Sequence, residues 1–297
     1  MKRKIIFRGT GTALVTPFTS TGSVDERALR KLVDFQIGGR VEALLPTGTT
    51  GESVTLSDDE QLRVVEIVLD QARGRVKVFA GAGSNSTSKA MVLSKRMVAA
   101  GVDGILSVAP YYNKPTQEGF YQHYAAIASA VDAPIIMYNV PGRTASNMDA
   151  GTTVRIAGEI PSIAGIKEAS GNFGQIMDIL RHRPEGFGVW SGDDAITLPM
   201  IALGADGIVS VVANEVPKMF SDMVRLCLRG KFAEAVELHN SLLDLMNLNF
   251  IESNPIPVKA ALAMMGMIKE YYRLPLVPLS KKHRPKLRAV LSKLKLL

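Results

Sequence analysis

Short β-rich runs alternate with segments of helical pattern along most of this chain, and that alternation restricts the folds it can adopt. Eight such runs occur, and none is joined to the next by a turn alone. Strands separated by helices pair in parallel, because each crossover returns the chain to the same end of the sheet. Eight such units close most economically into a (β/α)₈ barrel, the TIM barrel of the α/β class. The predicted strands are Gly11–Thr16, Ala43–Leu45, Val76–Ala80, Gly104–Val108, Pro134–Asn139, Ile163–Lys167, Gly188–Ser191 and Gly207–Val211.

An open, doubly wound sheet is the alternative architecture. It would carry a glycine-rich dinucleotide turn after an early strand, and Gly81-Ala-Gly83-Ser-Asn85 lacks the third glycine of that motif. Several helix starts are visible between the strands. Ser57-Asp-Asp-Glu60 is a capping box, and Thr116 and Asp149 are candidate N-caps. The closed barrel is therefore the preferred prediction.

After the eighth strand, helical patterns continue without any linker-like composition. We predict a barrel over residues 1–214 that carries the active site, and a C-terminal helical extension over residues 215–297 that packs on the barrel. The formal net charge of +7 equals the seven lysines and arginines of residues 281–297, which include no acidic residue. Apolar residues recur there near helical spacing, which favours an amphipathic helix with a solvated basic face. We therefore expect neither nucleic acid nor membrane as a partner. The apolar positions are Leu287, Val290, Leu291 and Leu294.

The compartment can be predicted from three features. The start, Met1–Arg8, is basic but has too few successive apolar residues for a signal peptide. No run approaches the length of a membrane span. Cys227 is the single cysteine, so disulfides cannot hold the fold, and a reducing compartment fits. These features predict a cytoplasmic protein.

Lys167 ends the apolar run of the sixth predicted strand. Burial there disfavours the ammonium, and its pKa should fall. A lysine that is neutral near pH 7 is a nucleophile that can form a Schiff base with a carbonyl substrate. A strand-end lysine that simply reaches solvent is the competing interpretation. The barrel prediction favours a catalytic lysine, because active sites of barrels form at the carboxyl ends of the strands. The residues at those ends supply mainly hydroxyl groups around this one lysine. They are Thr16, Thr47 to Thr50, Ser84, Asn85, Tyr111, Tyr112, Tyr138, Asn139, Ser191 and Ser210.

Hydroxyl groups suit Schiff-base chemistry because they can relay protons without accumulating charge. Tyr138, Thr49 and one tyrosine of the Tyr111–Tyr112 pair are the candidates. Rim packing for the tyrosines and turn capping for the threonine are the structural alternatives. Arg143, in a loop shaped by proline and glycine, would place a guanidinium over the barrel mouth, where it suits a carboxylate; a plain surface arginine is the alternative.

Other chemistries have less support. The four histidines are widely spaced and have no cysteine nearby, which argues against zinc. Phosphate sites in barrels often follow strands seven and eight, yet the loop after strand seven carries Asp193 and Asp194, whose carboxylates would repel phosphate. This argues against an aldolase for sugar phosphates. We expect no metal and no organic cofactor.

Six motifs resemble, in order and spacing, those of the dihydrodipicolinate synthase family, within the pyruvate-dependent class I aldolases and lyases. The resemblance spans nearly the whole chain. The motifs are Gly48-Thr-Thr-Gly-Glu-Ser53, Pro110-Tyr-Tyr-Asn-Lys-Pro115, Tyr138-Asn-Val-Pro-Gly-Arg143, Gly165-Ile-Lys-Glu-Ala-Ser-Gly-Asn172, Ser191-Gly-Asp-Asp194 and Asn254-Pro-Ile-Pro-Val-Lys259.

The resemblance implies catalytic roles for four residues. Lys167 matches the lysine that binds pyruvate as a Schiff base, and Tyr138 matches the proton shuttle that also positions pyruvate. Thr49 matches the central hydroxyl of the relay. Tyr112 matches the tyrosine that a neighbouring subunit donates, which would make dimerisation part of the mechanism. The family is usually a homotetramer built as a dimer of dimers.

The resemblance also implies the substrates. Thr50 and the backbone near Val209 match pyruvate-binding elements, and Arg143 matches the residue that receives the carboxylate of L-aspartate 4-semialdehyde. The implied reaction is the condensation and cyclisation in the diaminopimelate route to lysine. N-acetylneuraminate lyases and 2-keto-3-deoxygluconate-type aldolases share the fold, the lysine and the tyrosine, and they remain alternatives. A non-catalytic small-molecule-binding barrel is a third.

Lysine-sensitive members of the family bind L-lysine at a dimer-interface cleft. The matching positions here are Ser53, Gln61, Asn85, Lys89 and Tyr111. Those members typically have histidine in place of Gln61 and glutamate in place of Lys89. A cationic ligand needs carboxylates around it, and Lys89 would repel it instead. The resemblance therefore predicts weak or absent feedback inhibition by lysine.

Overall fold

Eight parallel strands form a closed barrel in the computed structural model, which describes residues 4–297. Each strand pairs with the next along the chain, and β8 pairs with β1 to close the ring. The predicted (β/α)₈ barrel is therefore confirmed. The strands are β1 Gly9–Ala13, β2 Ala43–Leu45, β3 Lys77–Gly81, β4 Gly104–Val108, β5 Ile135–Asn139, β6 Ile163–Glu168, β7 Gly188–Ser191 and β8 Gly207–Ser210.

Twelve α-helices lie within the described residues. The predicted capping box is present: the Ser57 hydroxyl accepts from the Glu60 N–H at 3.2 Å, and the Glu60 carboxylate accepts from the Ser57 N–H at 2.9 Å. Thr116 and Asp149 are also the N-caps predicted for their helices. The helices are α1 Glu26–Gly38, α2 Asp58–Ala72, α3 Thr87–Ala99, α4 Gln117–Ala130, α5 Pro141–Thr144, α6 Ala150–Glu159, α7 Phe173–His182, α8 Thr197–Ala202, α9 Pro217–Leu228, α10 Phe232–Leu248, α11 Ile256–Met264 and α12 Arg284–Lys293.

Five of the eight predicted strands differ from the structure in their boundaries, and three of these, β5, β6 and β8, differ by a single residue at one end. β1 begins and ends earlier than the predicted Gly11–Thr16. The apolar run continues past Ala13, but the Val15 N–H donates to the side chain of Asn214 at 3.1 Å rather than to a neighbouring strand. A side chain distant in sequence therefore ends the ladder. β3 lies one residue later than predicted.

Aromatic side chains fill the amino-terminal half of the barrel interior. Phe7, which precedes β1, stacks on Trp190 of β7 with ring centroids 4.6 Å apart, and Phe79 of β3 packs on Phe7 at 5.6 Å. A larger apolar layer lies between the strands and the surrounding helices. Because large rings occupy the lower interior, open space for a ligand is confined to the carboxyl end of the strands.

The C-terminal helices pack against the barrel strands and against the helices that surround them. Helix α9 packs against β1 and α1, so it completes the ring of eight βα units. Helix α10 packs on α8 and α9, and α12 packs on α10 and α11. The predicted amphipathic tail is helix α12, and Leu287, Val290 and Leu291 are buried in it. The division of the chain after residue 214 stays a prediction. No helix within residues 4–297 has the length and apolar character that crossing a membrane requires.

Candidate active site

Lys167 lies near the end of β6 and points into the barrel. Its neighbour Ile166 faces the helices and joins the outer apolar layer, as strand alternation requires. Lys167 is 5% exposed, and its Nζ lies 4.2 Å from the ring centroid of Tyr138, its register partner on β5. Burial lowers the pKa of Lys167 to about 7; Asp194 acts against that change, and the Arg143 charge adds to it. Both the neutral amine and the ammonium are therefore populated near pH 7.

A cavity of about 120 Å³ opens above this lysine at the barrel mouth. Gly192, which is part of its wall, makes room for the lysine, since a Cβ there would lie 3.0 Å from Lys167 Cε and 2.6 Å from the Ala169 side chain. The structure brings five of the seven predicted site residues to this cavity. They are Lys167, Tyr138, Thr49, Thr50 and Arg143.

Tyr138 is buried between Lys167 and the threonines. Burial raises the pKa of its phenol; the Arg143 charge and a hydrogen bond with the Thr49 side chain lower it, and Glu168 raises it. The net direction is upward, so Tyr138 is a protonated phenol at neutral pH. The Thr49 and Tyr138 side chains are therefore hydrogen-bonded to each other, and the Lys167 amine lies over the Tyr138 ring, so the groups that a proton relay needs are neighbours.

The turn that carries Thr49 and Thr50 is tightly packed. The Gly51 N–H donates to the Gly48 carbonyl at 3.1 Å, and a Cβ at Gly51 would lie 3.1 Å from the Leu14 carbonyl oxygen. Thr50 is buried, and its hydroxyl accepts from the Asn254 amide at 3.0 Å. Contacts from β1 and from the C-terminal helices therefore fix the orientation of this turn.

Arg143 lies on the short helix α5, directly after β5. The buried Thr144 hydroxyl donates to the Ser146 carbonyl at 2.8 Å and holds this helix against the following loop. The guanidinium of Arg143 is exposed at the mouth, where it donates to the backbone carbonyl of Asn254 at 3.2 Å. Its other donors remain available for a carboxylate.

Two predicted residues lie elsewhere. Tyr112 is 89% exposed, with a positive φ of 73°, and does not line the cavity of its own chain. Val209 lies on β8 inside the packed apolar interior of the barrel, below the cavity. Their roles stay predictions.

A second cavity, of about 480 Å³, adjoins the first and shares Thr49, Tyr138 and Arg143 with it. Four of the five positions that the resemblance connects with lysine sensitivity line it, namely Ser53, Gln61, Lys89 and Tyr111. The Gln61 amide donates to the backbone carbonyl of Ser53 at 3.0 Å. The only acidic side chain among the lining residues is that of Asp58.

Asp194 acts electrostatically on Lys167, which the sequence did not reveal. In the sequence it appeared as a carboxylate that would repel phosphate and as the last residue of the Ser191-Gly-Asp-Asp194 motif, without a role of its own. In the structure it is buried, accepts from the Ser210 hydroxyl at 2.6 Å and from the Val212 N–H at 2.9 Å, and favours the protonated form of Lys167. Burial raises the pKa of Asp194 to about 6, against the hydrogen bond from Ser210. Its sequence signals were its place after a predicted barrel strand and its membership of the Ser191-Gly-Asp-Asp194 motif.

Possible metal ligands are not grouped together. Across residues 4–297, no three histidine, cysteine, aspartate or glutamate side chains lie close enough to hold a metal ion. Cys227 is buried in α9, where burial raises the pKa of its thiol to about 11. The groups available for chemistry at the mouth are therefore one amine, several hydroxyls, one guanidinium and the carboxylates of Asp193 and Asp194.

Comparison with known proteins identifies the family. The model of the dihydrodipicolinate synthetase family matches residues 6–294. The chain belongs to this family. The chain is 55% identical to the 4-hydroxy-tetrahydrodipicolinate synthase of Chloroherpeton thalassium. The match covers 96% of this chain and 95% of that relative. The dihydrodipicolinate synthase of Aquifex aeolicus superposes with a TM-score of 0.96 at 45% identity, covering 98% of this chain and 99% of that one.

A further family structure, described as the first monomeric dihydrodipicolinate synthase variant, superposes with a TM-score of 0.96 at 44% identity, covering 98% of each chain. The comparisons confirm the predicted family resemblance and the predicted fold. They also confirm an enzyme of the lyase type within the class I aldolases.

Proposed function

We propose that this enzyme condenses pyruvate with L-aspartate 4-semialdehyde, as a 4-hydroxy-tetrahydrodipicolinate synthase in the diaminopimelate route to lysine. The observation that carries the proposal is a buried lysine with a pKa lowered to about 7, in contact with a buried tyrosine at the mouth of a closed barrel. Relatives about half identical over nearly the full chain bear the name of that synthase.

The first chemical step follows from the state of Lys167. Its neutral Nζ attacks the C2 carbonyl carbon of pyruvate, and the carbonyl oxygen becomes the hydroxyl of a carbinolamine. Loss of water then gives the imine, and loss of a proton from the methyl group gives the enamine. Each step moves a proton, and the Tyr138 and Thr49 hydroxyls lie where they can carry it.

The second substrate reacts at the enamine carbon. That carbon attacks the aldehyde of L-aspartate 4-semialdehyde, and the amine of this substrate then displaces Lys167 and closes the ring. Arg143, exposed at the mouth and already hydrogen-bonded to the backbone at Asn254, is placed to receive the carboxylate. Thr50 and the backbone near Val209 complete the proposed pyruvate site.

Tyr112 is proposed as a catalytic group of a second copy of the chain. It projects almost fully into solvent beside the loop that carries Arg143, with its N–H 3.4 Å from the Thr144 carbonyl. A neighbouring copy packed on this face would receive the phenol at its own mouth. We propose a homotetramer built as a dimer of dimers, in which the tight dimer completes the relay.

We propose that no metal or organic cofactor takes part, because the Lys167 imine itself withdraws electrons from the substrate. A cytoplasmic location is proposed from the single buried thiol of Cys227, which suits a reducing compartment.

Borohydride trapping tests the proposed function. With pyruvate present, reduction should add one pyruvate-derived group to each chain, and peptide mapping should place it on Lys167. Lys167→Ala should lose the adduct and at least about a thousandfold in turnover, because a covalent intermediate disappears. Lys95→Met, at an exposed position on α3, serves as the control and should keep the adduct. An adduct on a different lysine contradicts the assignment, and trapping without turnover on L-aspartate 4-semialdehyde favours a sister lyase.

A further inference from the structure

The start of α11 contacts the turn that carries the two threonines of the relay and the pyruvate site. The Asn254 amide donates to the Thr50 hydroxyl at 3.0 Å. One helical turn further on, Lys259 forms an ion pair with Glu52, and the two side chains are 0% and 1% exposed. Two contacts more than 200 residues apart in sequence therefore join the C-terminal helices to one side of the active-site cavity.

Both members of the ion pair have further partners around them. The Lys259 ammonium lies 4.3 Å from the Phe18 ring centroid and 5.3 Å from that of Tyr272. The second oxygen of Glu52 accepts from the Arg273 N–H at 3.4 Å. Buried ion pairs are weak contributors to stability, because desolvation offsets most of the attraction, and apolar residues of similar volume often serve as well. A role in geometry is therefore the more informative hypothesis for this pair.

We propose that Lys259, Glu52 and Asn254 are positioning residues that orient the Thr49–Thr50 turn toward Lys167. Glu52 has a left-handed backbone, with φ of 54°, and its N–H donates to the Thr49 carbonyl at 3.1 Å. Because the Glu52 side chain is paired with Lys259 of α11, the Glu52 backbone is held in place, and with it the Thr49 carbonyl to which the Glu52 N–H donates.

The contact from Asn254 also sets the direction of a proton. A threonine hydroxyl has one hydrogen to donate. The Thr50 oxygen accepts from the Asn254 amide, so the hydroxyl hydrogen of Thr50 points away from Asn254 toward another acceptor. The cavity that Thr50 lines has space for a substrate carboxylate to be that acceptor. The backbone carbonyl of Asn254 meanwhile holds Arg143. One segment thus aligns the groups proposed for both substrates. This inference rests on the proposed function.

The test compares a double variant with a matched control. Glu52→Gln with Lys259→Met removes both charges at once and leaves no unpaired buried charge. We expect it to fold, to keep the trapped pyruvate adduct, to lose about tenfold in kcat and to raise the KM for pyruvate, because the relay is misaligned. Asp206→Asn removes a carboxylate that is equally buried, at the opposite end of the barrel, where it pairs with Arg183. This control should lower the unfolding midpoint and leave kcat unchanged.

Asn254→Ala provides an independent variant with a smaller change to the core. We expect it to raise the KM for pyruvate about fivefold or more through Thr50, with a smaller effect on kcat. If it and any folded double variant keep kcat and KM within about twofold of the wild type, the positioning role is overturned. Should the double variant fail to fold, the Asn254 result alone decides. Absence of any pyruvate adduct in the wild type would instead contradict the proposed function itself.

Discussion

Replacing Lys167 by methionine should make the protein more stable at neutral pH while abolishing its chemistry. Folding lowers the pKa of this lysine from 10.5 to about 7, chiefly through burial. Between those two values the unfolded chain binds one proton that the folded chain does not. The free energy of unfolding of the wild type therefore rises with pH in this window. A tenfold change in a proton-binding constant is worth about 1.4 kcal/mol.

The size of the effect follows from the two pKa values. At pH 7 the buried lysine costs the folded state about 4 kcal/mol, and at pH 9 about 2 kcal/mol. Methionine has a similar length and no charge, so Lys167→Met removes this cost. Its advantage over the wild type should therefore shrink by about 2 kcal/mol between pH 7 and pH 9.

Reversible urea unfolding provides the assay. Trp190 is the only tryptophan and is fully buried inside the barrel, so its fluorescence reports global unfolding. Lys95→Met, at an exposed position on α3, is the matched control and should show no such pH dependence. A difference between Lys167→Met and wild type that stays constant from pH 7 to pH 9 refutes the lowered pKa. So does a variant less stable than the wild type at pH 7.

Three further predictions concern the other site residues. Tyr112→Phe should lose about a hundredfold in turnover, and mixing it with Lys167→Ala should restore part of the activity; no recovery after confirmed subunit exchange contradicts the intersubunit role. Arg143→Ala should weaken use of L-aspartate 4-semialdehyde by about 2–3 kcal/mol with pyruvate trapping nearly normal, whereas equal loss of trapping indicates a structural role. L-Lysine should inhibit by half only above about 1 mM, because Lys89 lines the larger cavity and the Gln61 amide is already bonded to backbone. Half-inhibition below that concentration would mean a binding free energy more favourable than roughly −4 kcal/mol and would contradict the predicted insensitivity.

The barrel could be predicted because its signals are local. Each strand is a short apolar run, and helix starts such as the Ser57 capping box are complete within four residues. The lysine could be predicted for a related reason. Once the strands are assigned to a barrel, the barrel geometry places the carboxyl ends of all strands around one mouth, and Lys167 lies at one of these ends.

The interactions that set the site's electrostatics could not be predicted in this way. Asp194 acts on Lys167 through a bend after β7 that no periodicity specifies. Lys259 meets Glu52 across 207 residues of sequence, and nothing in the pattern of α11 distinguishes a buried lysine from an exposed one. Tyr112 is exposed in the single chain, so its proposed place in the mechanism depends on a second copy.

The two ends of the barrel have opposite energetic character. At the amino end, Phe7 stacks on Trp190 in a dry interior that contributes apolar burial. At the carboxyl end, Lys167, Asp194 and Thr50 are polar groups in buried positions, each of which costs free energy unless it is partnered. In the proposed mechanism the partner of Lys167 is the substrate, because imine formation converts a costly buried amine into the reaction's intermediate. Lys167→Met should recover the free energy that burying the Lys167 amine costs the folded state. The difference in unfolding free energy between this variant and the wild type at pH 7 therefore measures that cost.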